Sequence, residues 1–475
     1  MNEVLVIGAG PAGLAAALAA RAVGGRVMLL DSSDYLGGQY WRHLPPARPA
    51  RRESKLHHQW STFQAMRGKL ESDSLCEVVT SAHVWAIDQG RIYVMVGEAD
   101  GVDRDARVYS PDAVVLATGA FDRALPIPGW DLPGVFTAGG AQALAKGERV
   151  SIGERVVVAG AGPFLLPVAA SLAQTGSTVV GVYEASHVSR MLRRWTARPW
   201  QLLATPSKLV ELVGYVSSHV RHRTPYVTGH AVTAIHGRDR VESVTICAID
   251  ESWRPIAGRE EIIEVDAVCL GHGFTPRLEL AIAAGCRLSK QRFVEVDEQQ
   301  RTSIATVFAA GEITGVGGVD LALAEGAIAG HVAAGGRLRD TALRAPRARR
   351  RSLRSFAVRI DRAHVIGQNW TTWLTDETIV CRCEEVSFGR LRSVAETSQS
   401  SSLRSLKLLS RAGLGACQGR VCGRSVETIL GACAPQGRLS GESTTDRRPI
   451  ATPIRLGELA TSVHDETTSM KQAKQ

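Results

Sequence analysis

The sequence predicts an α/β fold with two Rossmann-like βαβ domains and, beyond them, a small helical domain. Three observations predict it. Residues 4–31 and 155–184 each read as strand, glycine turn, helix and strand, so one topology occurs twice. Four cysteines far downstream, Cys381, Cys383, Cys417 and Cys422, form two close pairs with a long stretch between them. A chain of 475 residues with 44% hydrophobic content can bury more than one core, so the two patterns need not share one.

In the first unit Val4-Leu5-Val6-Ile7 is an aliphatic run suited to a parallel strand buried on both faces. Gly8-Ala9-Gly10-Pro11-Ala12-Gly13 follows, and Leu14 to Ala22 reads as a helix. Gly8 permits the tight turn, Gly10 lets the backbone approach a pyrophosphate, and Gly13 lets helix and strand pack closely. Pro11 and Ala12 open the helix, whose free N–H groups and dipole favour phosphate. A second strand, Arg26 to Leu30, ends at Asp31. That acid follows Gly13 at near the spacing expected of a ribose-binding carboxylate.

The second unit repeats the pattern: Arg155 to Ala159, then Gly160-Ala161-Gly162-Pro163-Phe164-Leu165, then a strand Thr178 to Tyr183 ending at Glu184. Leu165 replaces the third glycine, which predicts a helix pushed away or tilted from its strand. Pro167 is tolerable in a first helical turn. If the ligand is a nicotinamide nucleotide, Glu184 favours NAD over NADP, because a carboxylate repels a 2′-phosphate. A different nucleotide, or a purely structural domain, stays open.

Four more segments carry a resemblance: Leu36-Gly37-Gly38-Gln39, Val114 to Ala120 with Thr118-Gly119, Pro126-Ile127-Pro128-Gly129, and Val307 to Glu312 with Gly311. With these the chain resembles the flavoproteins with two dinucleotide-binding domains, the broad glutathione-reductase-like class. The resemblance implies FAD at the first site, with Gly38, Gln39, Thr118, Gly119, Gly311 and Glu312 around it. That class usually has Asp at position 312 and Glu at position 31. Gly317-Gly318 and the helix-like run Leu321 to Ile328 are placed to bring N–H groups toward a reduced flavin's negative charge. Residues 32–75 contain no cysteine, and no Cys-x-x-Cys follows the second glycine motif, which excludes a disulfide reductase.

The clustered thiols therefore become the expected destination of electrons. Thiolates select zinc or iron–sulfur centres, and four in two pairs satisfy either. Zinc knuckles mostly use Cys-x-x-Cys, and neither Cys381-Arg382-Cys383 nor Cys417-Gln418-Gly419-Arg420-Val421-Cys422 has that spacing. Helices are expected over Phe388–Ala395, Leu403–Ser410 and Arg424–Leu430, and glycine-rich loops would supply N–H groups to anionic sulfur. Val380 to Glu384 and Gly415 to Gly423 resemble the bacterioferritin-associated-ferredoxin-like (BFD-like) [2Fe-2S] domain, which usually closes with Cys-x-x-Cys. Fused behind a two-domain flavoprotein, it resembles one subunit of several multi-subunit dehydrogenases. These are the A subunit of opine oxidases, the flavoprotein B subunit of hydrogen cyanide synthase, and the alpha subunit of dye-linked proline and hydroxyproline dehydrogenases. The segments 159–170, 311–318 and 447–460 look like that family too.

This resemblance implies an electron-transfer subunit carrying FAD and a [2Fe-2S] cluster. Its expected partners are an FAD-dependent amine-oxidising subunit and, in some assemblies, a small ferredoxin-like subunit, in a hetero-oligomer. It leaves room for a second nucleotide, NAD, ATP or FMN, at a subunit interface. The rival readings are a stand-alone NAD(P)H-dependent reductase feeding an iron–sulfur protein, and a non-catalytic scaffold. No acid/base pair stands out; His43 and His272 lie near glycine-rich segments and read better as loop or core histidines.

The expected organisation is an FAD domain over 1–119 and 276–335, the second nucleotide domain over 120–275, a basic linker over 336–375, the cluster domain over 376–435, and an extension and tail over 436–475, polar and disordered from Thr461. The net charge of +9 is mostly local, since residues 337–362 hold ten arginines and two acids. That pattern reads as a solvated linker or a face for an acidic partner; nucleic acid would need a broader basic surface and a recognisable module. Cys76, Cys247, Cys269, Cys286 and Cys433 read as buried small hydrophobes. The apolar start carries Glu3, lacks a basic n-region and is broken by Gly8 to Gly13, so it is not a signal peptide. No run reaches the roughly 18–20 residues of a membrane span. A cytoplasmic location is expected, with peripheral attachment at the inner face of the membrane as a variant.

Overall fold

The structure, a computed structural model, describes residues 2–48, 53–196, 223–398, 402–433 and 450–460. The tail from Thr461 lies outside the described residues. The chain divides into two compact units, the first of residues 1–120, 276–357 and 447–475, the second of 121–275 and 358–446.

The first unit is built on a five-stranded parallel sheet. Its order is Val307–Ala309, Ala113–Leu116, β1 (Glu3–Ile7), β2 (Arg26–Leu30) and Cys76–Val79. Val6 sits opposite Leu29 on one side and Val115 on the other. Both faces are covered, which is why β1 is aliphatic and buried from Val4 to Ile7. One face carries α1 (Pro11–Ala22) and the Gly318–Ala333 helix. These two helices touch backbone to backbone. A Cβ on Gly326 would lie 2.0 Å from Ala12 O, and one on Gly330 would lie 1.9 Å from Ala16 O. A three-stranded antiparallel sheet (Ala82–Asp88, Arg91–Val96, Asp105–Tyr109) completes the unit. The chain returns to it near its end. The Ala451 N–H donates to Trp85 O at 2.7 Å, and Arg104 grips Glu458 with a two-pronged bond of 2.7 and 2.6 Å.

The second unit repeats the theme with a parallel sheet ordered Tyr226–Thr228, β4 (Thr178–Glu184), β3 (Arg155–Gly160), Ala267–Gly271 and Val135–Thr137. Its helix α2 (Leu165–Gln174) starts five residues after Gly160, whereas α1 starts three after Gly8. Leu165, in the place of the third glycine, lies against Gly271 of the neighbouring strand. A Cβ on Gly271 would lie 2.8 Å from Leu165 Cδ2, so the glycine on the neighbouring strand makes the room that the missing third glycine would have made.

The cysteine-bearing segment belongs to this second unit. It comprises the hairpin Ile379–Cys381 with Val386–Ser387 and the helices Phe388–Ser398, Leu403–Ser410 and Gly423–Cys433. The segment expected as a small helical domain over 376–435 shares its core with the second nucleotide domain, one cluster joining Ile127, Trp130 and Val157 to Val386, Leu391 and Val426. Ser425 Oγ donates to Ala124 O at 3.1 Å, and Trp253 and Trp373 stack at 5.7 Å. A segment this short buries too little apolar surface for an ample core of its own.

The expected basic linker is instead largely helical, with Arg344–Ala363 forming one helix of 20 residues. No helix among the described residues is long and apolar enough to cross a membrane.

Candidate functional site

The first glycine loop is shaped by steric necessity at two positions, while a third is free of clash. Gly8 has φ +104°, and a Cβ there would meet Ala117 O at 2.3 Å; a Cβ on Gly13 would lie 1.7 Å from Gly8 O. At Gly10 the nearest atom to a Cβ would be Gly38 Cα, at 3.9 Å. A Cβ there would thus meet only ordinary contact among the described residues. Helix α1 has no side-chain cap and no acid in its first turn. Its first N–H groups are thus left for an anion, which fits the pyrophosphate of a dinucleotide.

Asp31 ends β2 beside this loop. One carboxylate oxygen accepts from the Ser33 N–H at 2.7 Å, the other from the Ala9 N–H. The acid expected to reach a ribose therefore also braces the glycine turn. Gly38 (φ +58°) faces Gly10, and Gln39 beside it is exposed. Gly311 (φ +80°) approaches from the other side, where a Cβ would lie 2.9 Å from Ala12 Cβ. Pro11, Ala12 and Gly13 form the first turn between them. Glu312 is half-buried. Thr118 Oγ1 donates to Arg277 O at 2.9 Å, and a Cβ on Gly119 would meet nothing within 4 Å. Asp320, in the first turn of the Gly318–Ala333 helix, accepts from Gln59 Nε2 at 2.9 Å. These groups share the carboxyl end of one parallel sheet, the usual crevice for a dinucleotide.

The second glycine loop is differently equipped. Gly162 (φ +113°) has open space above it, and Gly160 could not carry a Cβ because Gly271 O would lie 1.8 Å away. Glu184 is fully buried and its carboxylate is engaged on both oxygens. Oε2 accepts from the Gly162 N–H at 2.9 Å and from the Tyr226 hydroxyl at 3.3 Å; Oε1 accepts from the Ser186 N–H at 2.9 Å and faces His364 Nδ1 at 3.4 Å. Burial alone would raise its pKa, but His364 and Ser186 hold it below the ordinary carboxylate value. Like Asp31, Glu184 braces its glycine loop, and it is in addition covered by Tyr226 and His364. His364, far along the chain, is the partner that the sequence pattern does not announce.

The four paired cysteines come together. The Cys422 thiol bonds the sulfurs of both Cys381 and Cys417, and Cys417 also meets Cys383. Cys422's hydrogen bonds pull Cys417 down to about 4 and Cys381 to about 6, while those same bonds push Cys422 up. Backbone N–H groups surround the sulfurs: Gly413 N–H donates to Cys381 Sγ at 3.4 Å, joined there by Glu384, and Gly419 and Val421 serve Cys417. No three His, Cys, Asp or Glu side chains among the described residues stand in metal-binding geometry. The converging sulfurs and their N–H donors nevertheless suit an anionic thiolate-bound centre. Cys381 and Cys422 are buried and Cys383 is exposed.

Neither singled-out histidine faces a partner for catalysis. His43 Nδ1 bonds Trp41 O at 2.8 Å amid Tyr35, Trp60 and Phe63. His272 is buried, and burial, with Arg123 beside it, pushes it down to about 4.

The model of the pyridine nucleotide-disulphide oxidoreductase family matches residues 2–330. The opine oxidase A subunit of Rhizobium meliloti is 32% identical over 481 residues, covering 97% of this chain and 88% of that protein. Hydrogen cyanide synthase subunit HcnB of Pseudomonas protegens is 28% identical over 438 residues, covering 89% of this chain and 90% of that one. Among solved structures, L-proline dehydrogenase from P. horikoshii matches with a TM-score of 0.64 at 20% identity, over 96% of this chain and 79% of that chain, a likeness of fold.

Proposed function

The chain belongs to the pyridine nucleotide-disulphide oxidoreductase family, as an FAD-dependent oxidoreductase related to the opine oxidase A subunit, and from that premise we propose that it is the electron-transfer subunit of a hetero-oligomeric dehydrogenase or oxidase. A partner subunit oxidises the substrate, an amino acid, opine or related secondary amine. The observation that carries this reading is the meeting of Cys381, Cys383, Cys417 and Cys422 in a chain with no cysteine over residues 32–75, the stretch after the first glycine motif. Bound FAD would accept reducing equivalents in pairs and release them singly, and a [2Fe-2S] cluster would carry them one at a time.

The chain's own residues do the holding. The bare backbone at Gly10 and the uncapped start of α1 take the pyrophosphate; Asp31, Gly38, Thr118, Gly119, Gly311 and Glu312 line its surroundings. The four thiolates would hold the iron, and the N–H groups of Gly413, Glu384, Gly419 and Val421 would offset their charge. Glu184 supports this reading over a stand-alone NAD(P)H reductase because, unlike Asp31, it is fully buried and covered by the Tyr226 hydroxyl and His364. Native purification tests the proposal. A co-purifying flavoprotein subunit, with amine:dye oxidoreductase activity that needs both chains, is the expected result. NADH-driven dye reduction by this chain alone would refute it.

A further inference from the structure

Glu325 lies in the Gly318–Ala333 helix, fully buried, and its carboxylate reaches out of that helix in two directions. Oε2 accepts from the Gly311 N–H at 3.1 Å and from the Thr314 hydroxyl at 2.8 Å. Oε1 accepts from Arg354 Nε at 2.8 Å, with Arg350 Nε at 4.0 Å. Arg354 also reaches Thr314 Oγ1, at 3.4 Å. Both arginines come from the basic helix whose charge had no assigned purpose.

A buried carboxylate is costly unless paired and fully hydrogen-bonded, and an apolar pair of similar volume often stabilises a fold as well. Stability alone is a weak reason for this arrangement; what it holds is a better one. Gly311, with φ +80°, lies beside the first turn of α1: a Cβ on it would come within 2.9 Å of Ala12 Cβ, so only a glycine fits between the loop and that turn. Ala12 follows Pro11 in the loop where the pyrophosphate is assigned. Glu325 thus grips one wall of the flavin crevice from behind, without facing it.

We propose that Glu325 is a positioning residue for the flavin: it locks the Gly311–Thr314 loop against the first turn of α1, and Arg354, with Arg350, supplies the countercharge that lets a carboxylate do so in the core. This inference rests on the assignment of FAD to the first glycine loop. It gives two arginines of the basic helix an internal task in place of docking an outside polyanion.

The test is titration of flavin-free full-length protein with FAD, followed by flavin fluorescence, in two double variants that lose the same ion pair. In Glu325→Gln/Arg354→Met the amide oxygen still accepts from Gly311; in Glu325→Leu/Arg354→Met nothing does. The Gln variant is expected to bind FAD within about threefold of wild type, and the Leu variant about tenfold to a hundredfold more weakly, measured at a temperature where both apoproteins are folded. Equal affinity in the two would overturn the proposal. Should the Leu variant not fold, Thr314→Val removes the hydroxyl's contacts with Glu325, Arg354 and Gly311 O and leaves the buried charges paired. It is expected to weaken FAD about two- to tenfold, and unchanged affinity would again overturn the idea. Folded wild-type protein that takes up no FAD would instead refute the flavin assignment itself.

Discussion

Two glycines three positions apart do different jobs, and only one of them concerns the ligand. Gly13 is locked by Gly8 O, so any side chain there damages the fold, whereas Gly10 has φ −73° and a Cβ on it would meet no atom nearer than Gly38 Cα at 3.9 Å. Gly10→Val is therefore expected to fold and to lose FAD, because its branches occupy the pyrophosphate approach. Circular dichroism alongside flavin absorbance checks this; a folded, yellow variant would contradict it. Cys417→Ser is expected to lose iron and keep FAD, since the sulfurs and the first glycine loop belong to different units. Iron and flavin assays on one sample decide it, and loss of both would count against that separation. At this scale the glycines and the clustered cysteines were legible because their chemistry is tied to residue type and spacing. Glu184 was legible only as an acid at the end of a strand. The groups that seal it, Tyr226 and His364, come from distant stretches of the chain, which no local pattern records.

Elements tell a similar story. The strands of both βαβ units and the helix over Leu403–Ser410 follow from aliphatic runs and helical spacing, and they stand within a residue or two of expectation. Leu165 was readable as a departure but not its remedy, because Gly271 lies on a strand much later in the chain. The contact between α1 and the Gly318–Ala333 helix depends on Gly326 and Gly330. Gly330→Ala puts a carbon where Ala16 O stands and is expected to cost about 1–3 kcal/mol, read from urea unfolding. A change below about 0.5 kcal/mol would refute close contact. The returning segment around Glu458 offers a pH test. Hydrogen bonds from Arg104 push the Glu458 carboxyl down to about 2 from an ordinary 4.5. A depressed folded-state pKa means the stabilisation is present above pH 4.5 and is lost as pH falls toward 2. The melting temperature of Arg104→Met is thus expected to lie below that of wild type at neutral pH and to converge with it in acid. A constant gap across that range would show that the pair does not titrate this way. Nothing local in the sequence pairs residues 104 and 458, so this clasp had no signature.

For the molecule as a whole, the sequence reading separated a cluster domain from the second nucleotide domain, and the structure packs them around one core. Composition shifts mark a boundary along the chain, but a small helical segment with few apolar residues needs a neighbour to bury against. The basic stretch likewise read as surface because arginines are usually solvated; Glu325, buried in another helix, draws two of them inward. The central claim is that one chain holds both a two-electron and a one-electron centre. Anaerobic purification of the full-length protein, with FAD and metal quantified per chain and an electron paramagnetic resonance spectrum after dithionite, tests it most directly. The account predicts about one FAD, about two irons and a signal from a reduced [2Fe-2S] cluster; one zinc per chain with no such signal would contradict it.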